Sequence, residues 1–119
     1  MPKFMMIICD DEAAREALPV EEQVANLRAK GEWFAAQAAA GRTLEGHRLA
    51  PARTARTVRT GKRTTTVDGP FAETKEQLGG YYLIQARDLN DAIQVAARIP
   101  SARMGTIEVR PIAELGQPA

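Results

Sequence analysis

Six consecutive apolar residues, Phe4-Met5-Met6-Ile7-Ile8-Cys9, stand between Lys3 and the pair Asp10-Asp11, and this run restricts the fold more than any other segment. It is too short for a buried helix and has the length of a strand. Side chains alternate between the two faces of a sheet, so a strand without polar alternation must be covered on both. A second segment, Tyr81 to Ala86, behaves the same way at its start: Tyr82, Ile84 and Ala86 fall on one side, Tyr81 and Leu83 on the other. The fold needs a sheet with two dry faces.

Two helices can supply one covering layer. From Pro19 to Ala40, Val20, Val24, Leu27, Gly31, Phe34 and Ala38 recur at steps of four and three, a single helical stripe expected to face the core. Pro19 suits the first helical position, Glu21 and Glu22 complement the N-terminal dipole, and Gly41 can take the left-handed cap that ends the helix. Gly31, on the stripe, would permit a close backbone approach. Farther on, Asp88 reads as an N-cap with Asp91 in the first turn, and Leu89, Ala92, Ile93, Ala96 and Ala97 share a face until Pro100 halts the helix.

Arg42 to Leu49 reads as a strand broken by Ala50-Pro51-Ala52. Thr54–Thr60 and Lys62–Asp68, rich in β-branched residues, flank Gly61 as a hairpin, and Thr106 to Ile112 forms a closing strand. With the hairpin set aside, the order is strand, helix, strand, strand, helix, strand. That is the α+β, ferredoxin-like βαββαβ order with an inserted hairpin. One domain over residues 1–113 with a tail at 114–119 is the expected organisation. Two helices leave the second sheet face bare, and a second copy packed across a two-fold axis is the economical cover, so a homodimer is expected.

Composition narrows the function classes. A net charge of +1 with 26% charged and 45% hydrophobic residues describes an ordinary globular domain. The first apolar run is too short for a signal peptide or a membrane span, so a cytoplasmic protein is expected. One cysteine and one histidine give no internal disulfide and no transition-metal ligand set, and no dinucleotide or P-loop fingerprint is present, so no cofactor is expected. Arg42, Arg48, Arg53, Arg56, Arg59, Lys62 and Arg63 are opposed only by Glu45 in their stretch. Threonines, not aromatics, interleave them, which argues for protection of strand edges over nucleic-acid binding.

The segment from Asp68 to Ile84 carries the densest pattern. Asp68-Gly69-Pro70 sets a carboxylate, a φ-permissive residue and a φ-locked residue in succession, and so aims side chains in a fixed direction. Asp68 is the leading catalytic candidate: partial desolvation would raise its pKa toward the range useful for proton abstraction beside a carbonyl. Its other reading is a turn-holder that accepts hydrogen bonds from backbone amides. His47, the single histidine, is the second catalytic candidate, conditional on contact with Asp68. Phe71, Trp33, Tyr81 and Tyr82 supply aromatic surface for a small organic ligand.

The runs Asp68–Phe71, Glu73-Thr74-Lys75-Glu76, Gly79-Gly80-Tyr81-Tyr82-Leu83-Ile84 and Ile107-Glu108-Val109-Arg110-Pro111 together resemble the YCII-related family in its DGPF-type branch. The resemblance implies a dimeric α+β barrel, with Glu73, Lys75 and Glu76 beside the barrel opening, where Lys75 would meet an anionic ligand and Glu73 a polar one, and Phe71 and Tyr82 are the ligand-binding aromatics to set beside them. Better-studied members of the wider superfamily pair an aspartate with a histidine on the first helix. Residues 19–40 contain no histidine, so that pair does not carry over. The resemblance implies a cytosolic homodimer that binds an unidentified small organic ligand, with cofactor-free acid–base, isomerase- or lyase-like chemistry. A non-catalytic ligand-sensing or accessory module associated with sigma-factor regulation is the alternative.

Overall fold

The computed structural model describes residues 1–72 and 74–116. The elements are β1 (Lys3–Asp10), α1 (Glu12–Glu16), α2 (Val20–Ala39), β2 (Thr43–Arg48), β3 (Arg56–Thr60), β4 (Thr64–Asp68), β5 (Gln77–Gln85), α3 (Leu89–Ala97) and β6 (Gly105–Pro111). Short 3-10 turns lie at Ala52–Thr54 and Pro100–Arg103. Four strands form one antiparallel sheet in the order β2-β5-β1-β6, and β3 with β4 form a separate ribbon. This is the ferredoxin-like arrangement with its inserted hairpin. Among the described residues no helix is long and apolar enough to cross a membrane.

β1 holds the centre of the sheet: Met6 lies between Tyr82 of β5 and Val109 of β6. On the helical face Phe4, Met6, Ile8, Ile84 and Ala86 pack with Ala92, Val95, Ala96 and Ile99, and Trp33, Tyr82, Ile107 and Val109 border this core. Asp88 caps α3 as its sequence position predicts, its carboxylate accepting from the N–H of Asp91 at 2.8 Å. The buried face of α3 differs from the expected one, because Leu89 and Ile93 are exposed while Val95 is buried. Asp91 is buried with it. Its carboxylate accepts from the N–H of Arg87 at 3.0 Å and pairs with Arg42 at 3.5 Å, interactions that hold its pKa below the usual aspartate value.

The first helix departs further from expectation. α2 buries no residue completely, and its apolar stripe is largely open, with Val20, Val24 and Leu27 all exposed. Gln23, Asn26, Ala29, Lys30, Trp33, Phe34 and Gln37 are the partly covered positions. No atom lies within 4 Å of a Cβ placed on Gly31, so the close approach expected there does not occur. Pro19 is the N-cap and not the first helical residue, while Gly41 takes the left-handed conformation (φ 76°).

The molecule is flat, 47 × 46 × 19 Å, and 19 Å holds one sheet and one helical layer. Its radius of gyration, 16.2 Å, exceeds the roughly 13–14 Å of a compact chain this long. The β3–β4 ribbon pairs with neither edge of the sheet. It is an arm, exposed on nearly every residue. Met5, Ile7, Tyr81 and Leu83 occupy the sheet face away from the helices and are only half-covered.

Candidate functional site

Where the apolar stripe of α2 would be expected to meet the sheet, there is a cleft of about 230 Å³. Leu27, Gly31 and Phe34 form its roof, and Ile8, Gly46, Gly79, Gly80 and Tyr82 its floor. The glycines hold it open at specific contacts. A Cβ on Gly46 would lie 2.8 Å from the ring of Phe34, and one on Gly80 would come within 2.7 Å of the His47 backbone oxygen. Tyr82 reaches up to α2, its ring centroid 5.0 Å from that of Trp33 and 5.8 Å from that of Phe34. Burial pushes the Tyr82 phenol above its ordinary pKa, so the hydroxyl keeps its proton.

The other end of the cleft is polar and drawn from four elements. Asp10 ends β1, Arg15 comes from α1, Lys30 from α2 and Arg48 from the end of β2. α1 is a five-residue helix that aims Arg15. Asp11 caps it by accepting from the N–H of Ala14 at 3.1 Å, and Glu12 accepts from the N–H of Ala52 at 2.9 Å, which fastens it to the turn before β3. Gln23 of α2 donates to the carbonyl of Leu18 at 2.8 Å and holds the α1–α2 corner. Arg15 thereby pairs with Asp10 at 3.3 Å. The second Asp10 oxygen, Oδ1, is buried with no hydrogen-bond partner and lies 3.1 Å from a Cβ placed on Gly79.

Lys30 is half-buried, and its amine is pushed below the usual lysine range by burial first, then by Arg15 and Arg48, with Asp10 acting the other way. Among the described residues no carboxylate pairs with Lys30 or Arg48. Asp10 and the depressed Lys30 amine line one cavity and form an acid–base pair in kind. Burial, then the carboxylates of Glu76, Glu108 and Asp10, raise the pKa of Cys9, which disfavours its thiolate. No group of three potential metal-binding side chains occurs among the described residues.

Of the residues singled out from the sequence, Tyr82 lines the cleft with its side chain. His47 borders it, but alternation from Gly46 sends its ring to the opposite sheet face, 5.5 Å from Tyr81. Asp68 ends β4 with its side chain 88% exposed, paired to Arg56 Nε at 3.1 Å. It accepts no hydrogen bond from a backbone amide of its own turn, and the N–H of Gly69 (φ 94°) donates instead to the carbonyl of Ala55 at 2.8 Å. Asp68 pairs with Arg56 and His47 with Glu45, so the two candidates are not joined within the protomer. Phe71 is 74% exposed, with the Arg59 guanidinium 4.8 Å from its centroid, and Lys75 is exposed. None of Asp68, Phe71 and Lys75 lines the cleft. Glu73 lies outside the described residues.

Asp68→Asn should therefore change stability by less than about 0.5 kcal/mol in chemical denaturation, as an exposed ion pair contributes little. A loss above about 1.5 kcal/mol would instead reveal a turn-holding role.

Sequence reasoning missed Asp10, Arg15 and Lys30, and read Arg48 only as edge protection. One signal was present: an acid closing an apolar strand, with a Gly-Gly pair available to lie beside it.

The YCII-related domain model matches residues 3–116. An uncharacterised protein of Rhizobium meliloti (strain 1021) is 37% identical over 113 residues, 92% of this chain and 91% of its own length. Among solved structures, 5-chloro-2-hydroxyhydroquinone dehydrochlorinase from Burkholderia phenoliruptrix AC1100, in complex with 2,5-dihydroxybenzoquinone, superposes with a TM-score of 0.53. The match covers 91% of this chain and 90% of that one at 12% identity, a likeness of fold.

Proposed function

The chain belongs to the YCII-related family, and on that premise we propose that it binds a small organic molecule between α2 and the sheet and moves a proton there without a cofactor. The observation that carries this reading is the diverted apolar stripe of α2. Leu27, Gly31 and Phe34 face a cavity where a helix packed for stability alone would have closed onto the sheet. Asp10 would accept the proton, and Lys30 would return it or hold the developing negative charge. The family's fold is shared with a dehydrochlorinase solved with a quinone, and this analogy supports acid–base chemistry at the level of architecture alone.

The working form in this reading is a cytosolic homodimer. Met5, Ile7, Tyr81 and Leu83 have no covering layer, and a two-stranded arm is marginal by itself, so a second copy would bury both. The assignments of Asp68, His47, Phe71, Glu73 and Lys75 belong to this assembly. The arm carrying Asp68 and Phe71 leaves its own protomer and would act on a partner's surface. Sedimentation at micromolar concentration should give twice the 13.0 kDa chain mass. A monomer would remove the dimer and the arm's role together.

The ligand reading is tested by an NMR screen of single-ring organic molecules. A binder should shift the amide signals of Gly46, Gly79 and Gly80, and at a hundredfold excess over its Kd should stabilise the fold by about 2.7 kcal/mol. Shifts confined to the arm would move the site away from α2. Once a reaction is in hand, Asp10→Asn should lower turnover by about 10²–10⁴-fold. Ligand binding without turnover would favour the sensing module.

A further inference from the structure

The polar end of the cleft is also a wall shared with its neighbours. A second cavity of about 270 Å³ lies beyond it, bordered by the same Asp10, Arg15, Lys30 and Ser101, and a smaller one of about 70 Å³ again includes Arg15, Lys30 and Arg48. The cleft itself is lined by three cations from three elements and one carboxylate, Asp10, while Asp11 and Glu22 line the second cavity and Glu16 the smaller one. Asp10 already engages Arg15. At the opposite end Phe34 and Tyr82, backed by Trp33, offer ring surface and no charge.

We infer that the ligand of the cleft is a compact organic monoanion, with its negative head against Arg15, Lys30 and Arg48 and its apolar body against Phe34 and Tyr82. The inference rests on the reading that this cleft is the binding site, and adds the charge and polarity of what enters it. Lys30 is partly desolvated without a carboxylate partner, which is costly, and a bound anion would supply the counter-charge there, with exposed Arg48 beside it at the cleft mouth. The lowered pKa of Lys30 agrees, since burial and two neighbouring guanidinium groups disfavour its charge until an anion stands among them. Asp10 on the same wall disfavours a doubly charged head such as a phosphate dianion. A cavity of about 230 Å³ accepts roughly one substituted ring, below the usual size of cofactor pockets.

Benzoate and benzamide share a ring and nearly a shape but differ in charge, and both can be titrated by NMR at fixed ionic strength. Benzoate should bind at least about tenfold more tightly. In the double variant Lys30→Met/Arg48→Met that preference should fall below about threefold. Lys30→Met alone should raise the ligand-free Tm by removing a charge that folding desolvates, which shows that lost preference is not lost structure. Leu27→Trp, at a partly exposed roof position, should fill the cleft and weaken both probes.

Equal affinity for the two probes, with Leu27→Trp weakening both, would overturn the anion assignment and leave the cleft as the site. A benzoate preference untouched by the double variant would overturn the placement of the head on these cations. Binding of both probes indifferent to Leu27→Trp, or no binding of either at millimolar concentration, would overturn the cleft reading and this inference with it.

Discussion

Ile84→Ala is expected to cost about 2–5 kcal/mol of stability and roughly 8–20 °C in Tm. Ile84 is fully buried on β5, where it opposes Phe4 across the centre of the sheet, and the cluster around it spans the sheet and α3. Removing three carbons there leaves a cavity that neither a central strand nor a packed helix can close. Leu83, the next residue, points to the other face, so Leu83→Ala should spare the protomer and weaken the proposed self-association instead. Chemical denaturation gives the first effect and sedimentation the second. A loss below about 1 kcal/mol for Ile84→Ala would show that the core is loose enough to refill, contrary to the packing described.

The second large effect is expected at Gly80. A methyl group there would sit 2.7 Å from the backbone oxygen of His47. Backbone on a paired strand cannot swing aside as a side chain does, so Gly80→Ala should cost about 2–4 kcal/mol and separate β2 from β5. Ligand binding should fall with it, because Gly80 is cleft floor and Arg48 stands opposite it in the β2–β5 register. Gly31→Ala provides the contrast. It meets open space on a helix, and the gain in helix propensity should stabilise by up to about 1 kcal/mol. If both substitutions behaved alike in urea denaturation, the claim that Gly80 is held glycine by close approach would fail.

These two glycines show why some of the molecule was legible in the sequence and some was not. An unbroken apolar run located β1, helical periodicity located α2 and α3, and β-branched enrichment about Gly61 located the hairpin, because each of these signals is written locally in its segment. The start of β5 was not legible. Gly79 and Gly80 look like a turn in one dimension, and only the partner strand at 2.7 Å explains glycine inside a ladder. The orientation of α2 was misread for a related reason: its apolar stripe is real but faces a cleft, and periodicity reports that a face is apolar without reporting what it meets.

The candidate site suffered most. Tyr82 stood out as an aromatic in a strand, whereas Asp10, Arg15, Lys30 and Arg48 are ordinary charges until four elements bring them to one wall. Asp68 drew attention through its turn chemistry. That turn is built as read, with Gly69 at φ 94°, yet its carboxylate faces solvent and Arg56. Local geometry was visible there, and the neighbours that decide a chemical role were not.

The sheet order has a further consequence, for the way this chain acquires its structure. β1, the most apolar strand, is flanked by β5 and β6, both from the far half of the sequence, and Phe4 pairs with Pro111 near the opposite end. No early hairpin can shelter it. One edge of the Phe4–Cys9 segment must remain unpaired until β5 has been synthesised and the other until β6 has, a non-local closure of the kind that slows folding and lengthens exposure of sticky backbone. Lys3 and the Asp10-Asp11 pair bracket that segment with charge, the placement that discourages nascent strands from finding one another first. Asp10 would then serve the newborn chain as a gatekeeper before it ever meets Arg15.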